Sequence, residues 1–223
     1  MKELTKEEKQ LRIAQNVAAV INEDPFYKII NLGVGIPTTA ADYITREDVY
    51  ILAENGMLGV GPLAEGSQVH PDRINASRQP VQETPGCCYC DSSMSFGMIR
   101  GGHVDATVLG AFEVDQEANV ANWIIPGGKQ LGVGGAMDLV SGARRVILAM
   151  THTSKTGSKL VKRCTLPITA RGKVNIVVTE YGVFSFENGQ VILKKIAPDI
   201  TQEELQSITD LTYHCAEDLR LMV

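Results

Sequence analysis

Residues 28–44 read KIINLGVGIPTTAADYI. The apolar run over 28–32 predicts a short buried strand, and residues 36–44, with a proline in the first turn, predict a helix. Outward from this stretch, strands are predicted over 48–53, 106–109, 145–150 and 173–179, and helices over 4–22 and 91–100. This alternation predicts an α/β fold: a single open domain over residues 1–223, with a mostly parallel mixed sheet flanked by helices.

The remaining segments carry turn and cap signals. Residues 57–86 are rich in glycine and proline and predict a long ordered loop. Asn188-Gly189 lies between two apolar runs, which predicts a β-hairpin over residues 184–193. Thr201 stands three residues before Glu204, a capping box that predicts a last helix running to about Leu219.

Composition excludes several classes of partner. The 223 residues are 44% apolar and 21% charged, as in ordinary soluble chains, and the formal net charge is −5. A negative chain is not expected to bind nucleic acid or an anionic membrane surface. No apolar run reaches the length of about 18 residues that a membrane helix needs, and the first ten residues lack an apolar signal core. Five irregularly spaced cysteines predict reduced thiols and a cytoplasmic location.

Glu54 is the first candidate for chemistry, because it ends an apolar strand and is followed by Asn55-Gly56. Ligands of parallel α/β sheets bind beyond the carboxyl ends of the strands. A carboxylate there could be a base, a metal ligand, a nucleophile or a solvated turn residue. The same tripeptide recurs at 187–189 inside the predicted hairpin, where Glu187 is expected to be an exposed strand-end residue. The tripeptide alone therefore leaves the role of Glu54 open.

Two glycine clusters have different interpretations. Gly33-Val-Gly35 lacks the third glycine of a dinucleotide fingerprint and favours a tight strand-to-helix turn. The cluster over 132–138, GVGGAMD, could leave amide donors free for an oxyanion or allow close packing, and the residues do not decide between these.

No metal site is predicted. Cys87, Cys88 and Cys90 have no second Cys/His pair at zinc-site spacing, so free thiols are favoured. The chain also contains no Gly-x-Ser-x-Gly elbow and no Walker loop.

From about residue 10 to 215 the chain resembles the β chain of family I CoA-transferases, which include the acetoacetate/butyrate and succinyl-CoA:3-oxoacid enzymes. Seven blocks in one order carry the resemblance: Asn31–Pro37, Glu54–Pro62, Met94–His103, Leu109–Asp115, Asn119–Gly127, Gly134–Val140 and Arg163–Pro167.

The resemblance implies roles for particular residues. Glu54 would be the nucleophile, and Gly134 or Gly135 would donate its amide to the oxyanion. Residues expected near CoA or the substrate are Asn55, Gly56, Asn75 and Arg78. No cofactor is implied beyond coenzyme A as substrate, and a separate α subunit is expected in an αβ hetero-oligomer.

The implied reaction moves CoA between an acyl-CoA and a short carboxylate of the acetoacetate, acetate, butyrate or succinate type. It would pass through a glutamyl-CoA thioester with ping-pong kinetics. The alternatives are an acyl-CoA hydrolase on the same scaffold and a non-catalytic partner chain. Three positions depart from the family pattern: Ala53 replaces a serine, Ser77 a glycine and Thr151 an acidic residue. Ser77 directly precedes Arg78, so this second departure weakens the expectation that Arg78 lies near CoA.

Overall fold

The computed structural model describes residues 4–127, 132 and 134–223. The α-helices are α1 (Lys6–Glu23), α2 (Ile36–Thr39), α3 (Ser92–Arg100), α4 (Ala136–Gly142) and α5 (Gln202–Ser207), with 3₁₀ turns at Ala40–Tyr43 and Gly66–Gln68. The strands are β1 (Ile29–Leu32), β2 (Tyr50–Ala53), β3 (Met57–Leu63), β4 (Val81–Tyr89), β5 (Ala106–Leu109), β6 (Glu113–Asp115), β7 (Val120–Ala121), β8 (Arg145–Ala149), β9 (Thr153–Ser154), β10 (Gly157–Ser158), β11 (Leu160–Val161), β12 (Ile176–Val178), β13 (Gly182–Glu187), β14 (Gln190–Ile196) and β15 (His214–Leu221).

Ten of these strands form one mixed sheet, in the order β15-β14-β13-β12-β8-β5-β1-β2-β3-β4. The five central strands, β12, β8, β5, β1 and β2, are mutually parallel. Antiparallel pairs extend the sheet on both sides, through β3 and β4 at one end and β13 and β14 at the other. The predicted α/β class, a mixed sheet with flanking helices, is confirmed.

Helix α1 covers one face of the central sheet. The hydroxyl of Thr5 accepts the amide N–H of Glu8, and the Glu8 carboxylate accepts that of Thr5, so a capping box starts the helix. Ile13, Val17 and Ile21 are fully buried, and each contributes about 1.5–3 kcal/mol through the removal of its side chain from water. Among the described helices, none has both the length and the apolar character to cross a membrane.

The prediction of a long loop over 57–86 is wrong at both ends, where strands form, and a loop is present only over residues 64–80. β3 starts the segment and β4 begins at Val81, and the two form an antiparallel pair with register shifts on both sides of Val60. Gly59 lies at the first shift with φ +91°, a conformation that favours glycine. Pro85 is tolerated inside β4 because β4 is the edge strand of the sheet. Glycine and proline here mark bulges and an edge rather than the absence of strands.

The predicted last helix to Leu219 is also wrong beyond its first turns. The capping box of Thr201 and Glu204 is present, but α5 ends at Ser207. The Thr209 hydroxyl donates to the Leu205 carbonyl, and the amide of Leu211 donates to Leu160. The chain then turns into β15, which pairs in parallel with the free side of β14. Hydrogen bonding to the free edge of β14 therefore stabilises this segment as a strand more than its own helical propensity stabilises a helix.

The hairpin of β13 and β14 forms as predicted. Its turn residues Asn188 and Gly189 have φ values of +52° and +77°, as a primed two-residue turn requires. Glu187 is exposed at the strand end and lies 3.4 Å from the Lys194 amine. The structural interpretation of this second Glu-Asn-Gly is confirmed.

His152 lies in the core without a charged role. Its ring nitrogens contact the hydroxyls of Thr179 at 3.1 Å and Thr209 at 2.9 Å, and its backbone N–H donates to Glu180 at 2.7 Å. Burial lowers the pKa of His152 to about 3. The imidazole is therefore neutral in the folded protein at neutral pH.

Acid should destabilise the fold through His152. Between its ordinary pKa of 6.5 and its folded value of about 3, the unfolded chain binds a proton that the folded chain does not. The free energy of unfolding therefore falls as pH falls through this window, by roughly 1.4 kcal/mol per pH unit. Urea denaturation between pH 6 and 4.5 measures this slope, with His152→Gln as the control. Equal slopes in the two proteins would contradict the prediction.

Candidate active site

The carboxyl ends of β5, β1 and β2 meet at one edge of the sheet, because the three strands are adjacent and parallel. Glu54 directly follows β2 at this edge. It opens a tight turn into β3, in which the amide of Gly56 donates to the carbonyl of Ala53 at 2.9 Å. The predicted strand-end position of Glu54 is confirmed.

Gly56 shapes this turn in a way that no other residue allows. Its φ is +120°, and an added Cβ would lie 2.0 Å from the carbonyl oxygen of Cys90. The close approach is held by the Cys90 amide, which donates to the Gly56 carbonyl at 2.8 Å. Glycine is thus needed for both the dihedral angle and the contact.

The carboxylate of Glu54 is half-buried and weakly held. Its Oε2 accepts one hydrogen bond, from Asn31 Nδ2 at 2.9 Å. Within the described residues it has no ion pair and no second hydrogen-bond donor. Asp115, by contrast, accepts three backbone N–H groups and the Asn119 amide, as a structural carboxylate does. Glu54 is therefore available to react.

Asn31 and Thr107 extend the site into the sheet, and sequence reasoning missed both. Asn31 Nδ2 also donates to the Leu52 carbonyl at 3.1 Å, and its Oδ1 accepts from Thr107 Oγ1 at 3.0 Å. Asn31 and Thr107 are fully buried. The available signal was a polar residue inside an otherwise apolar strand near its carboxyl end, since buried polar groups need partners.

The turn over residues 75–79 lies beside the Glu54 turn. Asn55 Nδ2 donates to the Ile74 carbonyl at 2.9 Å, which joins the two turns. Asn75 is mostly buried, and its Oδ1 accepts the amides of Ser77 and Gln79. This arrangement holds Arg78 at φ +64° with its side chain exposed. Asn75 therefore builds the turn, while Arg78 presents an unpaired guanidinium within the described part of the chain.

Gly134 and Gly135 lie at the start of α4. Gly134 has φ +53°, and an added Cβ at Gly135 would lie 3.1 Å from the Phe96 ring of α3. Helix α3 begins just after Cys90, the residue that contacts Gly56. In the described residues no hydrogen bond joins either glycine to Glu54, so their predicted oxyanion role stays a prediction. Residue 133 of this cluster and residues 128–131 before it lie outside the described residues.

Gly33-Val-Gly35 forms the predicted strand-to-helix turn. An added Cβ at Gly33 would lie 2.9 Å from the Val108 carbonyl oxygen, and Gly35 has φ +89°. The four-residue α2 that follows leaves little helix to bind a phosphate.

The cysteine cluster shows no metal-binding arrangement. All five cysteines have free thiols, and burial raises the pKa of Cys87 and Cys90. Among the residues that the structure describes, no group of three or more His, Cys, Asp and Glu side chains is placed to hold a metal ion.

A large cleft lies beside the carboxyl end of β2. Its volume is about 1280 Å³, and it is lined by strand β2, the α2 segment and the 75–79 turn. Ala53 and Asn75 border it, whereas Glu54 does not. Asn31, Leu52 and Thr107 share one face through their register, and Ala53 points to the opposite one.

Comparison with known proteins identifies related chains. The model of the coenzyme A transferase family matches residues 14–207. The β chain of the acetate CoA-transferase of Escherichia coli K12 is 46% identical over 211 residues, which cover 93% of this chain and 94% of that protein. One subunit of a probable succinyl-CoA:3-ketoacid coenzyme A transferase of Bacillus subtilis is 40% identical over 193 residues, or 85% of this chain and 89% of that one.

A solved structure shares the fold. The acyl-CoA transferase apoenzyme from Escherichia coli O157:H7 superposes with a TM-score of 0.74 at 20% sequence identity. The match covers 100% of this chain and 45% of that longer chain.

Replacing Gly56 should distort the Glu54 turn. Gly56→Ala combines a strained φ with a steric clash, so the free energy of unfolding should fall by about 1–3 kcal/mol or more. Gly189→Ala is the matched control, because its φ is +77° and an added Cβ meets nothing within 4 Å. Urea denaturation compares the two, and an equal or smaller loss for Gly56→Ala would refute the close-contact argument.

Proposed function

Because this chain belongs to the coenzyme A transferase family, we propose that it is the β subunit of an enzyme that moves CoA between an acyl-CoA and a short-chain carboxylate. The observation that carries the proposal is the Glu54 carboxylate, which is half-exposed at the carboxyl edge of the sheet and held by one amide. A carboxylate of this kind can act as a nucleophile without an activating base.

In the first half-reaction, Glu54 Oε1 attacks the thioester carbonyl of an acyl-CoA. The C–S bond breaks, CoA leaves as a thiolate, and a mixed anhydride remains. The thiolate then attacks the glutamyl carbonyl carbon, the anhydride C–O bond breaks, and the first carboxylate is released. Glu54 now carries CoA as a thioester. A second carboxylate reverses these steps and leaves as the new acyl-CoA.

Asn31 suits the second of these attacks. When the thiolate adds to the glutamyl carbon, negative charge develops on Oε2, the oxygen that Asn31 Nδ2 already contacts at 2.9 Å. A fixed donor aimed at a developing oxyanion contributes about 10²–10³ in rate. Gly134 or Gly135 would supply a further amide on the acyl side. We therefore assign Asn31 as an oxyanion donor in the proposed mechanism.

The partner and the substrates follow from the relatives. Both relatives are named as single subunits of a transferase, one of them as its β chain, which implies an α subunit. The proposed enzyme is an αβ hetero-oligomer in the cytoplasm. The related proteins act, by name, on acetate and on 3-ketoacids. We propose a carboxylate of this small size as acceptor, with acetate and acetoacetate to be assayed first in the reconstituted complex.

Glu54→Ala should abolish transfer in the complex with the α subunit while the fold stays intact, because the acyl carrier is lost. Glu187→Ala is the matched control, since it alters the second Glu-Asn-Gly in an exposed hairpin. Transfer from acyl-CoA to acetate or acetoacetate gives the rate, and borohydride treatment after incubation with acyl-CoA alone traps the thioester.

The proposal fails if both variants lose activity equally, or if borohydride modifies a residue other than Glu54. Release of free acid and CoA without an acceptor, at the rate of transfer, would favour the acyl-CoA hydrolase instead. An unmodified wild-type Glu54 would favour a non-catalytic partner chain.

Arg78 should bind the phosphates of CoA, because its exposed guanidinium is unpaired among the described residues and lies in the turn next to Asn55. Arg78→Ala should raise KM for acyl-CoA several-fold, which corresponds to about 1 kcal/mol, and leave kcat unchanged. The difference should shrink at high salt. Arg220→Ala, at the far edge of the sheet in β15, controls for net charge. Equal KM values for the two variants would disprove the assignment.

A further inference from the structure

Thr107 lies one strand away from Asn31 and two strands away from Glu54. The register aligns Asn31 of β1 with Thr107 of β5 on one side and with Leu52 of β2 on the other. A line of contacts therefore runs across three parallel strands from the Thr107 hydroxyl to the Glu54 carboxylate. The inference drawn from this line rests on the proposed function of Glu54.

The hydrogen-bond partners fix the orientation of the Asn31 amide. Its two N–H groups are both used, because Nδ2 donates to the Leu52 carbonyl and to Glu54 Oε2. Its Oδ1 then needs a donor, and Thr107 Oγ1 is at 3.0 Å. Thr107 makes no other side-chain hydrogen bond within the described residues. Its hydroxyl hydrogen is thus free to point at Asn31.

In the described part of the chain, Thr107 is the only donor that reaches Asn31 Oδ1. Asn31 and Thr107 both have 0% exposure, so bulk water does not reach the contact. A hydrogen bond accepted by Oδ1 polarises the amide and strengthens the bonds that its N–H groups donate. Without it, a buried carbonyl oxygen is left unsatisfied, and rotation of the Asn31 side chain relieves that cost at the expense of its contact with Glu54.

We propose that Thr107 is a positioning residue for the transfer reaction, acting through Asn31 on the oxygen of Glu54 where charge develops. It touches neither substrate nor the reacting carboxylate. Its hydroxyl holds the Asn31 amide with the N–H groups toward Glu54. Because the three residues are placed by the register of parallel strands, the alignment is part of the sheet and does not depend on loop closure.

The test uses Thr107→Val in the complex with the α subunit, since valine keeps the shape and removes the hydroxyl. We expect kcat to fall about tenfold, less than for loss of the oxyanion donor itself, with KM for acyl-CoA and for the carboxylate unchanged. Single-turnover formation of the borohydride-trappable thioester should slow by the same factor. Thr107→Ser should restore both rates, and Thr107→Ala provides a second variant without the hydroxyl.

Two further variants separate positioning from stability. Thr209→Val also removes a buried hydroxyl, one that contacts His152 and Leu205 away from Glu54, so it should lower thermal stability without changing kcat. In an Asn31→Ala background, Thr107→Val should have no further effect on kcat. Wild-type kcat in Thr107→Val, or an equal loss in Thr209→Val, would overturn the inference. Either result would leave the proposed function intact, which fails instead if Glu54→Ala remains active.

Discussion

The parallel register of β5, β1 and β2 is the constraint on which the site depends. It places Thr107, Asn31 and Leu52 side by side and brings the end of β2 beside the Asn31 amide. Parallel strands buried on both faces leave no water to compensate a misaligned polar group. A shift of one residue would turn Asn31 to the opposite face and leave Glu54 without its donor.

Glu54 differs from the structural carboxylates of the same chain in how little holds it. Asp105 accepts two backbone amides and the Arg144 guanidinium, and Glu113 accepts three donors from Thr165 and Leu166. Those groups tie segments of chain together. The Glu54 side chain makes one hydrogen bond among the described residues, to Asn31, and joins no distant segments. It therefore contributes little to the stability of the fold, and its Oε1 is available for a reaction.

The sequence was sufficient where a single segment determines the structure. β1, β2 and β5 follow from short apolar runs that end at polar or glycine residues, and the hairpin follows from Asn188-Gly189. It was insufficient where distant segments decide. β15 forms because β14 offers a free edge, and nothing within residues 208–221 encodes that edge. Thr107 and Asn31 stand 76 positions apart, and their contact becomes visible only once the strand order is known.

The resemblance to a family identified Glu54 among many glycine-flanked residues, but it did not reveal the network behind it. For Asn75 the resemblance implied a place near CoA or the substrate, whereas the structure shows that its side-chain oxygen accepts two backbone amides of its own turn.

The edge strand β4 is poorly suited to pairing with another strand. Pro85 has no N–H to donate to a neighbour, and the register shifts beside Val60 interrupt the regular pairing of β3 and β4. A proline and an irregular register in an edge strand disfavour the pairing of two sheets along β4, and they thereby oppose growth into fibrous aggregates.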